Sequence, residues 1–314
     1  MTRSRKESPL PAGVVETGDG WPPRPDELLD KLVLPHVVML PVMGIRVRFS
    51  SNSASALRTA GESFGVWRGT RATPRQPGEP VSVRLIVVRN DEQVVGRAPL
   101  TWHAPDVRRM VVQSPGSVGM IDLDRGDVFI YLTPALLADR EHFRYGVLEA
   151  LTLTAVNDRG RYPVHAAALV RGNIVLLLAG PSGTGKSTLA YAAMRAGLSV
   201  LADDAVYLQP APDFRIWGAP GRLYLRPESL RHFPGLSMPK PTVLASGRTK
   251  IVVAVDGSRA APAQVRGPRA GVVLLERSDG LVSVRRVRPR VIEARLAADL
   301  RLALARHGPG MRAA

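Results

Sequence analysis

The sequence of 314 residues contains no cysteine. A chain without thiols forms no disulfide bond, no thiolate metal site and no cysteine nucleophile. This absence excludes the small disulfide-stabilised folds, the cysteine-ligated zinc modules and the cysteine hydrolases. It also suits a cytoplasmic protein, because disulfide bonds are rare in that compartment.

Aromatic residues and long apolar runs are scarce as well. Aromatics make up 5% of the sequence, and the densest basic cluster, Arg285–Arg290, has none interleaved. A base-stacking surface needs such side chains, so the composition argues against a nucleic-acid partner. No apolar run approaches the ~18 residues of a membrane-spanning helix. The first residues, "MTRSRKESPLPAG", lack the apolar segment of a secretory signal, so we expect no membrane association.

Lysine is also scarce, since only five of the 43 basic residues are lysines. The formal net charge is nevertheless +16, because arginine is abundant. One explanation is arginine spread over solvated faces by codon preference. The other is an anionic partner, such as nucleotide phosphates, an acidic peptide or nucleic acid. The composition leaves both explanations open.

The chain divides by composition into three stretches. Residues 1–25 are rich in proline, glycine and charge, which predicts a disordered leader. Residues 26–140 mix half-buried strand patterns with a helical pattern and predict a smaller α+β domain. In residues 141–314 the predicted strands are more apolar, as expected of strands covered on both faces. This last stretch therefore predicts an α/β domain.

Several elements are predicted from periodicity. The helical pattern Arg140–Asn157 leads into the second half. The turn signal Ser278-Asp279-Gly280 predicts a hairpin between the last two strands. The other predicted elements of the second half are the strands Leu198–Ala202, Ile251–Asp256, Gly271–Glu276 and Leu281–Val287 and the helix Arg290–Arg306.

A phosphate-binding pattern lies between a predicted strand, Ile174–Ala179, and a predicted helix, Ser187–Ala196. The residues "GPSGTGKS" fit G-x-x-x-x-G-K-[ST], whose glycines let backbone N–H groups turn toward phosphate oxygens. The helix N-terminus adds its positive dipole end. We expect Lys186 to reach the β- and γ-phosphates and the Ser187 hydroxyl to coordinate Mg²⁺. The predicted nucleotide-binding residues are Gly180, Pro181, Ser182, Gly183, Thr184, Gly185, Lys186, Ser187 and Thr188.

A histidine is placed beside this loop by a second pattern. The runs "HAAALV" and "NIVLLLAG" are separated by Arg171-Gly172-Asn173, which predicts a hairpin. If Val170 faces Ile174, antiparallel pairing puts His165 opposite Ala179, next to the first glycine of the loop. A lone histidine is more often structural than catalytic. This placement favours a function at the nucleotide site.

Two adjacent aspartates, Asp203 and Asp204, follow the predicted strand Leu198–Ala202. Neighbouring carboxylates at the end of a buried strand are costly unless cations hold them. In an open α/β sheet the carboxyl ends of the strands form the binding crevice. We expect one aspartate to hold Mg²⁺ and the other to accept a proton from an attacking hydroxyl. A simple turn or helix cap is the alternative.

These motifs together resemble the catalytic domain of HPr kinase/phosphorylase. The likeness runs from Val164 to Leu208: a strand with "VH", a short turn, a strand into the phosphate loop, and "LADD" after the helix. A weaker likeness covers Ser246–Asp256, where "SGRTKIVVAVD" looks like the family's "PGRN" loop and the strand after it. The resemblance implies an HPr kinase/PEP carboxykinase-like mixed sheet with flanking helices.

The resemblance also implies an activity. In the family, ATP and Mg²⁺ are used to phosphorylate a serine, and the first aspartate of the pair is the general base. The histidine interacts with that aspartate, and a later arginine helps to bind the phosphorylated substrate or phosphate. Carried over, the implied catalytic residues are Asp203, His165, Lys186 and Arg248, and the implied Mg²⁺ ligands are Ser187 and Asp204.

The sequence departs from the family at one segment. The family's "EIRGLG" is missing, and "GAPGRLYLRPESL" stands near its place with Glu228 as its only carboxylate. We therefore expect phosphorolysis of the product to be slow, and HPr is in doubt as the acceptor. The chain looks more like the HPr kinase-related proteins found beside peptide-modification genes, including lasso-peptide clusters. Their proposed acceptor is a serine of a precursor peptide.

The leading hypothesis is thus an ATP-dependent kinase acting on a serine of a small protein or peptide. One alternative is a kinase of small hydroxyl compounds. Another is a nucleotide-binding, non-catalytic partner of a peptide-modification complex. The choice among ATP, GTP and pyrophosphate stays open. The resemblance is compatible with a homo-oligomer, since HPr kinases are hexamers.

Overall fold

The computed structural model describes residues 32–70, 80–88, 99–235, 237, 239–244, 248–278 and 282–299. The predicted leader, residues 1–25, and the end of the predicted last helix lie outside these ranges. The described chain is a mixed α/β fold with one large mixed sheet, three smaller sheets and few helices. None of the helices in these ranges has both the length and the apolar character that crossing a membrane requires.

The large sheet is built from the first seven strands, in the order β1-β2-β3-β7-β6-β5-β4. The pairs β2–β3 and β3–β7 are parallel, and the other neighbours are antiparallel. The strands are β1 (His36–Val42), β2 (Ile45–Ser51), β3 (Val81–Val87), β4 (Thr101–His103), β5 (Arg109–Ser114), β6 (Ser117–Asp122) and β7 (Asp127–Leu132).

Helices cover one face of this sheet. Helix α1 (Ala54–Phe64) begins where the Ser53 side chain accepts a hydrogen bond from the Ala56 amide, and a 3₁₀ turn, Gly65–Trp67, follows it. The predicted helix Arg140–Asn157 is present, but a π-helical segment divides it. Its apolar residues pack into the core of the large sheet. The segments are α2 (Pro134–Ala138), α3 (Arg140–Phe143), the π-helix (Arg144–Glu149) and α4 (Ala150–Asp158).

The second half forms the three smaller sheets. Their strand orders are β11-β9-β10-β18, β17-β13-β12-β8 and β14-β16-β15. Helix α5 (Lys186–Arg195) follows β10, and α6 (Pro289–Asp299) is the last described helix. The strands are β8 (Tyr162–Val164), β9 (Ala166–Arg171), β10 (Ile174–Ala179), β11 (Ser199–Ala202), β12 (Val206–Gln209), β13 (Arg215–Trp217), β14 (Arg222–Leu225), β15 (Thr242–Val243), β16 (Thr249–Ala254), β17 (Gln264–Arg266) and β18 (Arg269–Leu274).

Strand directions in the sheet β11-β9-β10-β18 position the site. Strand β9 runs antiparallel to both β10 and β11, and β18 runs parallel to β10. The carboxyl ends of β10, β11 and β18 therefore meet at one edge, where β9 begins. The phosphate loop leaves this edge after Ala179, the aspartate pair leaves it after Ala202, and His165 enters it.

Two predictions from the sequence need correction here. The hairpin between β9 and β10 is present, but Arg171 pairs with Ile174, so Ala166 lies opposite Ala179 and His165 does not. Only two residues form the turn, with Gly172 at φ 60°, because such tight turns match the twist of paired strands. The predicted strand Leu281–Val287 is wrong over the described residues 282–287. Its valines stay exposed there, since no strand among the described residues pairs with this segment.

The two halves of the chain share buried contacts. The Trp67 indole Nε1 donates to the carbonyl oxygen of Gly218 at 2.9 Å. The fully buried Arg161 donates from Nε to the carbonyl oxygen of Met43 at 2.8 Å. Trp217 joins the core of the large sheet. These contacts hold the first half against the second; the predicted domain boundary at residue 141 stays a prediction.

Candidate active site

A cavity of about 900 Å³ opens at the edge where β10 and β11 end. Its volume lies within the range of about 300–1,000 Å³ that is usual for ligand sites. Gly180, Pro181 and Thr184 are part of the same loop but not of the cavity wall. The predicted site residues on the wall are His165, Ser182, Gly183, Gly185, Lys186, Ser187, Thr188, Asp203, Asp204 and Arg248.

The phosphate loop depends on its glycines. Gly183 and Gly185 have φ of 91° and 102°, a left-handed conformation that residues with a Cβ rarely adopt. A Cβ on Gly180 would lie 2.6 Å from the carbonyl oxygen of Leu275. Helix α5 begins directly after Gly185, so its first amides face the cavity edge. Local chain geometry thus builds the anion-binding turn that the sequence pattern predicts.

Lys186 is buried inside this loop. Its Nζ donates to the carbonyl oxygens of Gly180 and Pro181, at 2.6 and 3.2 Å. The side chain is therefore held across the base of the loop with its charge surrounded by backbone. A phosphate cradled by the loop would meet a cation that is already in position.

Asp203 is buried at the back of the cavity, directly after an irregularity in the pairing of β11. Its Oδ2 accepts a hydrogen bond from the Tyr224 amide at 2.7 Å. Its Oδ1 is also buried and has no hydrogen-bond partner of normal geometry in the described ranges. Burial raises the pKa of Asp203 to about 6, against the opposing effects of the Ser187 hydroxyl and the Tyr224 amide. A carboxyl group with this pKa can accept a proton at neutral pH.

His165 reaches the other aspartate. Its Nδ1 lies 3.0 Å from the backbone oxygen of Asp204 and 3.4 Å from the Oδ1 of the same residue. The interaction with Asp203 that the resemblance implies is therefore replaced by one with Asp204. The imidazole can hold the backbone of the aspartate pair in place.

The donors for a magnesium ion lie on the same wall. Asp204 has a carboxylate that is 78% exposed, and Ser187 contributes a hydroxyl group. No cluster of three or more histidine, cysteine or acidic side chains occurs among the described residues. Mg²⁺ in nucleotide sites needs only one or two protein oxygens, because phosphate oxygens and waters complete its octahedron. The donor set therefore fits Mg²⁺ bound together with a polyphosphate.

The structure places two cations that sequence reasoning missed, Arg226 and Lys250, beside the predicted Arg248. Arg226 and Arg248 both approach the Ser182 hydroxyl, with donor distances of 3.5 and 3.2 Å. Lys250 donates to the carbonyl oxygen of Tyr224 at 3.3 Å. Arg226 belongs to the segment "GAPGRLYLRPESL", whose single carboxylate lies two residues further on. That carboxylate, Glu228, is exposed and is not on the cavity wall.

The second wall of the cavity comes from the first half of the chain, through Glu62, Val66 and Trp67 of the α1 region and through the π-helix. In the π-helix, the Tyr145 hydroxyl lies 3.3 Å from that of Tyr224. Tyr224 is the residue whose amide holds Asp203. No local pattern predicts this wall, because residues far apart in the sequence form it.

Comparison with known proteins gives little further information. No protein-family model matches the sequence. No curated protein matches it either. Among solved structures, the HPr(Ser) kinase/phosphatase from Coxiella burnetii matches 48% of this chain and 96% of its own length, at 17% identity and a TM-score of 0.21. A likeness of this size carries no argument about fold or activity.

Proposed function

We propose that the protein is a kinase that transfers the γ-phosphoryl group of ATP to a serine hydroxyl of a peptide or small protein. The observation that carries this proposal is the sharing of one cavity by a phosphate loop, its lysine and a buried carboxylate. The loop and the lysine suit a polyphosphate, and the carboxylate suits a proton from a hydroxyl acceptor.

The donor side rests on the loop. The first amides of α5 and the Lys186 ammonium provide positive charge for the polyphosphate. When bound, Mg²⁺ neutralises part of the negative charge on the phosphate oxygens. Ser187 and Asp204 are the residues that would hold it. Phosphoryl transfer needs mainly this positioning and neutralisation of charge.

The acceptor side rests on Asp203. The serine oxygen forms the new bond to the γ-phosphorus as its proton passes to the carboxylate of Asp203. The bond between the γ-phosphorus and the β–γ bridging oxygen breaks, and its electron pair leaves with ADP. Burial raises the pKa of Asp203 to about 6, which suits its carboxylate to accept this proton. His165 holds the Asp204 backbone and so positions the pair.

The shape of the cavity supports a chain-like acceptor. Exposed residues of the α1 region, such as Val66 and Glu62, stand at its rim. An acceptor that reaches Asp203 would enter between this rim and the phosphate loop. The wall from the first half would then contact the residues on either side of the acceptor serine.

The test is transfer of label from γ-labelled ATP to a candidate precursor peptide that ends in serine. The matched controls are the same peptide with alanine for that serine and the protein variant Asp203→Asn. We expect label only with serine and native Asp203. Label on small hydroxyl compounds alone would instead identify a small-molecule kinase. Binding of ATP without label on any acceptor would overturn the kinase proposal in favour of a nucleotide-binding partner.

A further inference from the structure

Two arginines from different strands meet at the tip of the phosphate loop. Arg226 follows β14, and Arg248 precedes β16, which pairs with β14. Their guanidinium groups both lie within hydrogen-bond reach of the Ser182 hydroxyl. The sequence motifs assign no function to Arg226.

Arg226 is held in position by its own segment. The 3₁₀ helix that follows it, Pro227–His232, is tied to the start of α5 by a 2.9 Å hydrogen bond between the Ser229 and Thr188 hydroxyls. A Cβ on Gly183 would lie only 3.1 Å from Nη2 of Arg226. The guanidinium therefore rests against the loop, and the glycine leaves room for it.

The charge around the loop tip is unbalanced. In the ranges that the structure describes, neither Arg226 nor Arg248 forms an ion pair. Burial lowers the pKa of Lys250, and repulsion from these two arginines lowers it further, against the attraction of Asp203. Cations gathered in this way repel one another until an anion binds between them.

The position along the loop indicates which anion this is. The amides at the start of α5 serve the phosphates nearest the helix, and Lys186 reaches the β- and γ-phosphates. Ser182 lies on the strand side of the loop tip, beyond these amides. A polyphosphate that begins at the helix would therefore extend its last group toward Ser182 and the two arginines. Arginine supplied within the same chain can stabilise a terminal phosphoryl group during transfer.

Building on the proposed function, we propose that Arg226, together with Arg248, binds the terminal phosphoryl group of the donor and makes the loop selective for nucleoside triphosphates over diphosphates. A guanidinium offers planar paired donors that match phosphate oxygens. One hydrogen bond to a charged group contributes about 1.5–3 kcal/mol, which corresponds to about a 10–150-fold change in affinity.

The experiment is calorimetric titration of the full chain with a non-hydrolysable ATP analogue and, separately, with ADP, both with Mg²⁺. We expect Arg226→Met to weaken binding of the analogue at least tenfold and to leave ADP affinity nearly unchanged. Arg231→Met is the matched control, because this arginine belongs to the same 3₁₀ helix and is exposed outside the cavity wall. Arg226→Gln, which also removes the charge, replaces the methionine variant if that variant does not fold.

If Arg226→Met weakened binding of the ATP analogue and of ADP equally, or weakened neither, the assignment of Arg226 would be overturned. The outcome is separable from that of the proposed function, because binding is measured without an acceptor. Selective loss of the triphosphate analogue in a protein that labels no acceptor supports the role of Arg226 and contradicts the kinase. Transfer to a peptide with unchanged analogue affinity in Arg226→Met supports the kinase and contradicts the role of Arg226.

Discussion

Replacing Asp203 by asparagine should stabilise the metal-free and nucleotide-free protein while it slows the proposed phosphoryl transfer. Asp203 is 6% exposed, and its Oδ1 has no hydrogen-bond partner of normal geometry among the described residues, so ionisation there is costly. Asparagine keeps the shape and an oxygen that can accept from the Tyr224 amide, but it carries no charge. Removing a buried charge of this kind is expected to favour the folded state.

The size of the effect follows from the pKa. Burial raises the pKa of Asp203 from 3.8 to about 6. The folded state therefore holds the proton more tightly than the unfolded state, and ionisation of this group destabilises the fold as the pH rises from about 4 to 6. A pKa difference of about two corresponds to about 3 kcal/mol in the free energy of unfolding. The free energy of unfolding of Asp203→Asn should therefore exceed that of the native protein by about this amount at pH 8 and by about half of it at pH 5.

Urea denaturation of both proteins at pH 8 and pH 5, with a metal chelator present, measures the difference. Asp204→Asn is the matched control, because the same substitution at a carboxylate that is 78% exposed should give no comparable gain. The reasoning would be refuted if Asp203→Asn did not raise the free energy of unfolding, or raised it equally at the two pH values. In the presence of nucleotide, the same variant should lose about 10²–10⁴ in transfer rate, the range for a positioned base.

Three further predictions concern the neighbouring residues. Lys186→Ala should abolish transfer and weaken Mg-ATP binding; unchanged affinity by calorimetry and unchanged turnover would refute the loop assignment. His165→Ala should lower kcat with little change in ATP affinity, because the ring holds the Asp204 backbone and is expected to touch no phosphate. Full activity of this variant in steady-state assays would show that His165 has only a structural role. Asp204→Asn should raise the Mg²⁺ concentration needed for half-maximal rate, and added Mg²⁺ should restore this variant but not Asp203→Asn.

The phosphate loop could be predicted from the sequence because it is local. Its glycines, its lysine and the start of α5 lie within a few residues of one another, and their backbone conformations follow from residue type. The hairpin before it was equally local, since a short turn between two apolar runs leaves few alternatives. The exact pairing was not, because the turn holds two residues rather than three, and this shifts every partner in β9 by one.

The tertiary structure alone decided which distant residues share the cavity. Arg226 approaches Ser182 because β14 pairs with β16 and the following 3₁₀ helix bonds to α5. The wall from the first half is present because Trp67 and Arg161 are buried between the two halves. Residues 282–287 have a strand pattern but pair with no strand in the part of the chain that the structure describes. A short pattern specifies backbone preference, whereas hydrogen-bond pairing and burial between distant segments depend on the whole packed chain.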